Sequence, residues 1–235
     1  MRFLPALALL PLPLPLPLPL APAIPSTNWS GYEAYVPVRF IQASWTLPVT
    51  RAQDNFPTWI GLGGEGGCST LIQAGTTYNP NLHHYTVWWE YVRPNDAGPV
   101  NIQGFILKPG GSVTVSISYQ SGRSTFTIRD GRTGRRKTVP ALTPNACQSP
   151  ADFVVERLGR SVRFGTITFT HCVVNGLPLD AFRPARVVMR GTKVSPLTNS
   201  RFSVQSLERW LHRYRRSEVL LPSRPLGEER GRPTS

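Results

Sequence analysis

Residues 85–92 read YTVWWEYV. The run is made of aromatic and β-branched residues and holds no Gly or Pro, which predicts a strand. A period of two sets Thr86, Trp88 and Glu90 on one face and Val87, Trp89 and Tyr91 on the other. The same texture recurs outward from this run: FIQASWTL (40–47), PTWIGL (57–62), TLIQAG (70–75), VNIQGFIL (100–107), SVTVSISY (112–119), STFTIRD (124–130), DFVVERL (152–158), GTITFTH (165–171) and ARVVMR (185–190). Turn-forming pairs lie between them, among them Gly63-Gly64, Asn79-Pro80, Pro94-Asn95, Gly110-Gly111, Asp130-Gly131 and Asn175-Gly176. Short strands at this spacing predict an all-β, antiparallel sandwich or barrel. No strand–helix–strand alternation is seen, which argues against nucleotide-binding α/β folds.

The 235 residues are 40% hydrophobic and 17% charged. That balance excludes a disordered chain, which would be poor in apolar residues and rich in charge. The net charge of +13 admits an anionic partner. The alternative is a solvated basic surface, because the charge is concentrated in Arg132, Arg135, Arg136, Lys137 and the C-terminal tail. No uninterrupted apolar run of about 18 residues suits a membrane helix.

Both ends differ from the middle. Residues 1–25 start Met1-Arg2, continue apolar, pass into a Pro-Leu repeat (11–20) and reach Ala-Pro-Ala at 21–23. A basic start, an apolar run and an A-x-A ending are those of a secretory signal peptide, with cleavage expected near Ala23. Proline at every second position from Pro11 precludes an α-helix there and favours an extended spacer. At the other end, SLERWLHRYRR (206–216) places Leu207, Trp210, Leu211 and Tyr214 at helical spacing, which predicts a short amphipathic helix with an Arg-rich second face. A tail rich in Pro and Gly follows. The expected organisation is a leader over 1–25, a β-sandwich over 26–204 and a basic helix and tail over 205–235. The helix is expected to dock on the domain, the alternative being contact of the basic tail with an anionic surface. The mature protein is expected to be a secreted monomer that requires no nucleic acid.

Cys68, Cys147 and Cys172 lack the C-x-x-C spacing of metal or redox sites. Two of them could pair in an oxidising compartment, leaving the third free. His83 and His84 point to opposite faces of any strand, so a metal site is not expected, and neither is a cofactor. No G-x-S-x-G motif accompanies the histidines, and no Lys-Ser/Thr follows GLGGEGG (61–67), which argues against a serine hydrolase and a phosphate loop.

Carboxylates are scarce, so Glu90 and Glu156, each within a strand of large apolar residues, are informative. An ionised group there is costly unless hydrogen-bonded. Each is either on the solvated face of an ordinary sheet or in an aromatic-lined cleft. Gln73 is a polar amide in an otherwise apolar run, a weak signal alone.

Six blocks in order, N-W-S-G-Y (28–32), A-S-W-T-L-P (43–48), W-I-G-L-G-G (59–64), L-I-Q-A-G (71–75), W-W-E-Y (88–91) and A-D-F-V-V-E (151–156), resemble the glutamic peptidases, or eqolisins, over about 28–202. The resemblance implies two packed, bent antiparallel sheets, a concanavalin-like β-sandwich. It implies an acid endopeptidase acting on protein or peptide substrates, insensitive to pepstatin, with Gln73 and Glu156 as its catalytic pair. Trp29, Trp88 and Glu90 fall on the family's neighbouring site positions and would grip substrate. A family disulfide would become Cys68–Cys147 and leave Cys172 over. Three departures stand out: Gly63 replaces a frequent Asp, the chain is basic without an evident pro-segment, and the C-terminal helix has no counterpart. Two other readings stay open. One is a carbohydrate-binding or carbohydrate-cleaving sandwich with Glu90 and Glu156 as its acid and base. The other is a non-catalytic module that binds through its basic tail.

Overall fold

The computed structural model describes residues 22–50, 52, 55–95, 97–159 and 163–207. In chain order the strands are β1 (Ile24–Ser26), β2 (Trp29–Ala34), β3 (Phe40–Thr46), β4 (Pro57–Gly63), β5 (Leu71–Asn79), β6 (His84–Val92), β7 (Val100–Asn101), β8 (Ser112–Gln120), β9 (Arg123–Asp130), β10 (Arg136–Leu142), β11 (Ala151–Glu156), β12 (Thr166–Val174), β13 (Leu177–Pro178), β14 (Ala185–Met189), β15 (Thr192–Val194) and β16 (Phe202–Ser206). A single 3₁₀ turn, Leu179–Phe182, is the helical element among the described residues.

The strands form two sheets. The first runs β1-β14-β2-β11-β4-β5-β6-β7 and the second β10-β9-β8-β3-β12-β16-β15, with β13 paired to β12. Pairing is antiparallel except between β1 and β14. The expected all-β architecture of two packed sheets is therefore present.

Alternation decides what lies between the sheets. Tyr32, Phe153, Ile60, Ile72 and Val87 point inward from the first sheet, and Ala43, Trp45, Val115, Phe126, Phe169 and Phe202 from the second. Their rings interlock: Phe169 stacks on Phe202 at 4.7 Å, and Tyr32 meets Phe202 edge-on at 4.9 Å. Each such fully buried ring contributes on the order of 2–3 kcal/mol. Trp45 also donates its indole N–H to Thr76 Oγ1 at 3.0 Å, a hydrogen bond that links the two sheets through the core.

Several elements differ from expectation for identifiable reasons. VNIQGFIL (100–107) is not one strand: β7 stops after Asn101, and Gly104 adopts φ +70°, with Leu107 rejoining Tyr85 by an isolated bridge. β10 lies in the Arg-rich stretch 132–137 and beyond, where charge and Pro140 hid a strand; both features suit an exposed sheet edge. Asn175 and Gly176, at φ +50° and +85°, make the tight turn that joins β12 to β13. Ser206 ends β16 opposite Thr192 rather than starting a helix. The rest of the expected helix, and residues 1–21, lie outside the described residues.

Candidate active site

The candidate site lies on the outer face of the first sheet. Its residues are the alternate positions that point away from the main core: Trp29 and Glu33 on β2, Asp152, Val154 and Glu156 on β11, Trp59 on β4, Leu71 and Gln73 on β5, and Trp88 and Glu90 on β6. The register orders them in lines across the strands. Glu33 faces Asp152, Asp152 faces Gly61, Gly61 faces Gln73 and Gln73 faces Glu90. The next line carries Gly31, Val154, Trp59, Gly75 and Trp88. Trp29 faces Glu156 one line further on.

The second line builds a small apolar floor. Trp59, Leu71, Trp88 and Val154 are buried together, with Trp29 and Val92 packed against them. The two glycines leave room for it. A Cβ on Gly61 would stand 2.9 Å from both the Trp59 ring and Leu71, and one on Gly75 would stand 2.6 Å from Trp59 Cβ. Trp29 meets Trp59 edge-on with centroids 5.0 Å apart.

Glu156 stands at one edge of this floor. Trp59 donates its indole N–H to Glu156 Oε2 at 3.0 Å, and Asn28 Nδ2 donates to Oε1 at 3.1 Å. The Trp29 N–H lies near enough to favour the ionised form but closes no hydrogen bond. Burial outweighs these donors and pushes the Glu156 carboxyl above its ordinary value. Asn28 and Trp59 were not singled out from sequence as site residues. Both sit in quoted blocks, and the period of two from Gly61 would have set Trp59 on this face.

Gln73 stands at the other edge. Its Nε2 donates to Glu90 Oε2 at 2.6 Å, while its Oε1 is buried without a hydrogen-bond partner. Glu90 is thus the carboxylate that orients Gln73. Trp88 is 5% exposed and spends its N–H on Thr77 Oγ1 at 2.8 Å, so it is part of the floor.

No direct hydrogen bond joins Gln73 to Glu156 among the described residues. They share a face, but β4 lies between their strands and Glu156 stands four residues along β11 from Asp152, which is on Gln73's line. Flat-sheet spacings put their Cα atoms about 16 Å apart. Glu90 and Glu156 are a further strand apart, about 20 Å by the same spacings. Glu90 is engaged by Gln73 and Glu156 by Trp59 and Asn28, and no hydrogen bond joins the two carboxyls among the described residues, which counts against a glycosidase acid–base pair.

Two further carboxyls were missed. Asp152 is fully buried, neither oxygen has a hydrogen-bond partner, and Glu33 beside it is 3% exposed. Burial, then repulsion from Glu33 and Glu65, raises Asp152 far above the usual carboxylate range. Burial likewise raises Glu33, against the hydrogen bond it accepts from the Tyr35 hydroxyl at 2.9 Å. The signal available was the period of two, which puts Asp152 on the face of Glu156.

Cys68 and Cys147 form a disulfide with Cα atoms 6.1 Å apart, pinning the glycine-rich β4–β5 loop to the segment before β11. Cys172 is free and buried. Among the described residues no three His, Cys, Asp or Glu side chains gather as a metal site. None of the described helices is long and apolar enough to cross a membrane.

Solved structures similar in fold include scytalido-glutamic peptidase with a transition-state analogue inhibitor, with 18% identity, a TM-score of 0.65, and 77% of this chain and 98% of that one covered. Another is SCP-B, a member of the eqolisin family of peptidases in complex with the tripeptide Ala-Ile-His, at 18% identity, TM-score 0.59 and coverages of 77% and 98%. A third is aspergilloglutamic peptidase from Aspergillus niger, at 19% identity, TM-score 0.51 and coverages of 66% and 99%. At these identities the likeness establishes the fold. Curated protein sequences give no match. The Peptidase A4 family matches residues 27–203, nearly the whole of the two sheets, the first of which carries Gln73, Trp59 and Glu156. The chain therefore belongs to the Peptidase A4 family and is a glutamic peptidase.

Proposed function

We propose that the protein is a secreted acid endopeptidase in which Glu156 activates water and Gln73 stabilises the oxyanion. The observation that carries this reading is the pairing of a titratable and a non-titratable group at the two edges of one indole floor. A water bound on that face would have a carboxylate to take its proton and an amide to meet the oxyanion. Glu156, as carboxylate, takes a proton from the water as its oxygen attacks the carbonyl carbon. One Gln73 N–H remains for the developing oxyanion while Glu90 holds the other, and the unpartnered Oε1 is available to the water. The C–N bond then breaks as protonated Glu156 returns the proton to the leaving nitrogen. Trp29, half-buried at the rim of the floor, is the indole placed to touch an extended peptide, with Trp59 and Trp88 buried in support.

Export is supported by the leader over 1–25 and by the disulfide, a bond at home in an oxidising compartment. Burial of Glu156 sets the working pH. A raised carboxyl pKa means the base form is gained above the ordinary 4.5, so activity rises with pH through a midpoint above that value. The test is digestion of a protein substrate across acid pH with and without pepstatin, using wild type and Glu156→Gln. Cleavage that resists pepstatin and disappears in the folded variant is expected. Full activity in Glu156→Gln overturns the reading.

A further inference from the structure

The outer face of the second sheet faces away from the peptidase site and carries different chemistry. Arg136 on β10 faces Arg129 on β9, Arg129 faces Thr114 on β8, and Thr114 faces Ser44 on β3. The next line holds Thr138, Thr127, Ser116 and Gln42. Two hollows lie on this face. One, of about 430 Å³, is lined by Gln42, Ser44, Thr114, Arg129, Arg136 and His171. The other, of about 1000 Å³, is lined by Arg39, Tyr119, Gln120, Arg123, Thr125 and Gln148 among others. Ser116 and Thr127 border the first, and Ser118 and Thr125 border the second. These are consecutive outward positions on β8 and β9, so the hollows join into a track of about 20 Å from Arg123 to Arg129.

We infer that this track binds an anionic polysaccharide, one bearing uronate or sulfate groups on a hydroxyl-rich backbone. Charge complementarity is the first reason. Four arginines line the two hollows and no Asp or Glu does. Arg129 and Arg136 stand directly opposite each other, a like-charge pair that costs stability until an anion bridges it. A guanidinium also presents paired donors that match carboxylate or sulfate. Charge at both ends suits a polymer with repeated anionic groups better than a single small anion.

Between the arginines the lining is hydroxyl and amide, which both donate to and accept from sugar hydroxyls. Other anionic partners fit less well. Nucleic acid strands are held by stacking successive bases on aromatic platforms, whereas Tyr119 is 9% exposed and leaves His171 as the single exposed ring in these linings. Membrane surfaces and protein partners need apolar anchors, which these linings lack.

The experiment is binding of the full chain to polygalacturonate by calorimetry, with neutral dextran, duplex DNA and anionic phospholipid vesicles as further probes. Wild type is expected to bind polygalacturonate and not dextran. Arg129→Ser/Arg136→Ser and Arg39→Ser/Arg123→Ser are each expected to weaken binding at least about tenfold. Arg190→Ser/Arg201→Ser removes the same charge from exposed positions outside the linings and should bind as wild type. All variants keep the Arg-rich segment 208–235, so its contribution cancels. Peptide cleavage should be unchanged throughout. Equal loss in the Arg190/Arg201 variant, no loss in the track variants, or tighter binding of DNA or vesicles than of polygalacturonate overturns the proposal.

Discussion

The outer face of the first sheet holds Glu33 at 3%, Asp152 at 0% and Gln73 at 7% exposure, whereas Arg123, Arg129 and Arg136 on the outer face of the second are exposed. Both faces consist of the positions an alternating strand turns away from the core. Burial separates them. On the first sheet Trp29, Trp59, Trp88 and Leu71 pack on one another and draw the polar groups between them out of water. Desolvation then raises the carboxyls of Glu33, Asp152 and Glu156. On the second sheet the outward residues are mostly Ser, Thr, Gln and Arg, and the apolar ones among them, such as Phe40 and Leu142, do not pack into a shared cover. The described carboxylates follow the division. Glu33, Glu90, Asp152 and Glu156 stand on the first face and Glu65 in its loop, leaving Asp130 and Asp180 elsewhere. An outward position on a sandwich becomes a reactive environment when indoles cover it and a wetted surface when they do not.

The largest effect is expected at Glu156. Glu156→Gln should lower peptide turnover by at least about 10³-fold with the fold intact, read by acid-pH cleavage and circular dichroism. Gln73→Ala should lower kcat by about 10²–10³-fold, because one oxyanion donor is lost. Glu90→Gln should cost less, since it loosens the orientation of Gln73 without removing its amide. If Gln73→Ala matched wild type, the shielded face would hold no oxyanion site.

Stability should separate the faces next. Cys68→Ser with Cys147→Ser reopens a sequence separation of 79 residues. Chain-entropy arguments put the cost of that change at about 4 kcal/mol, to be measured by denaturant unfolding. Asp152→Asn works in the opposite direction. A carboxyl whose folded pKa is raised contributes stability below its unfolded pKa, and this is lost as pH rises toward the folded value. Glu33, Asp152 and Glu156 all carry that sign, so the protein should be more stable in acid than near neutrality. Removing the titration at Asp152 should raise the melting temperature near pH 7 and flatten its pH dependence above about 4. A variant that lost stability at pH 7 would show that the ionised carboxylate is held by a partner after all. The smallest expected effect lies on the wetted face, where Thr127→Ser should change neither cleavage nor stability by more than about 0.5 kcal/mol.

The readable part of the fold was the alternation itself. In YTVWWEYV both faces follow from the period: Val87 and Tyr91 are in the core, and Trp88 and Glu90 are on the outer face. Strands that lack a dense apolar run were harder to see. β10 carries Arg136, Lys137 and Pro140 because it closes a sheet edge, and β2 contains Gly31, whose close approach to the Phe153 carbonyl admits no side chain. Gln73 and Glu156 could be named as candidates from the six ordered blocks. The positions of Asn28, Trp59 and Asp152 beside them could not, because those contacts come from strands that are distant in sequence.

The chain's alternation of apolar and polar residues, its turn-forming pairs and its ordered blocks were enough to determine an all-β sandwich and a glutamic peptidase, since both depend on local periodicity and on residue types at short spacing. Only the tertiary structure decided that Trp59 bonds Glu156, that Glu90 holds Gln73, and that Arg129 faces Arg136. Those contacts depend on which strands pair and in which register, and register is set by the packing of the whole core rather than by any one strand.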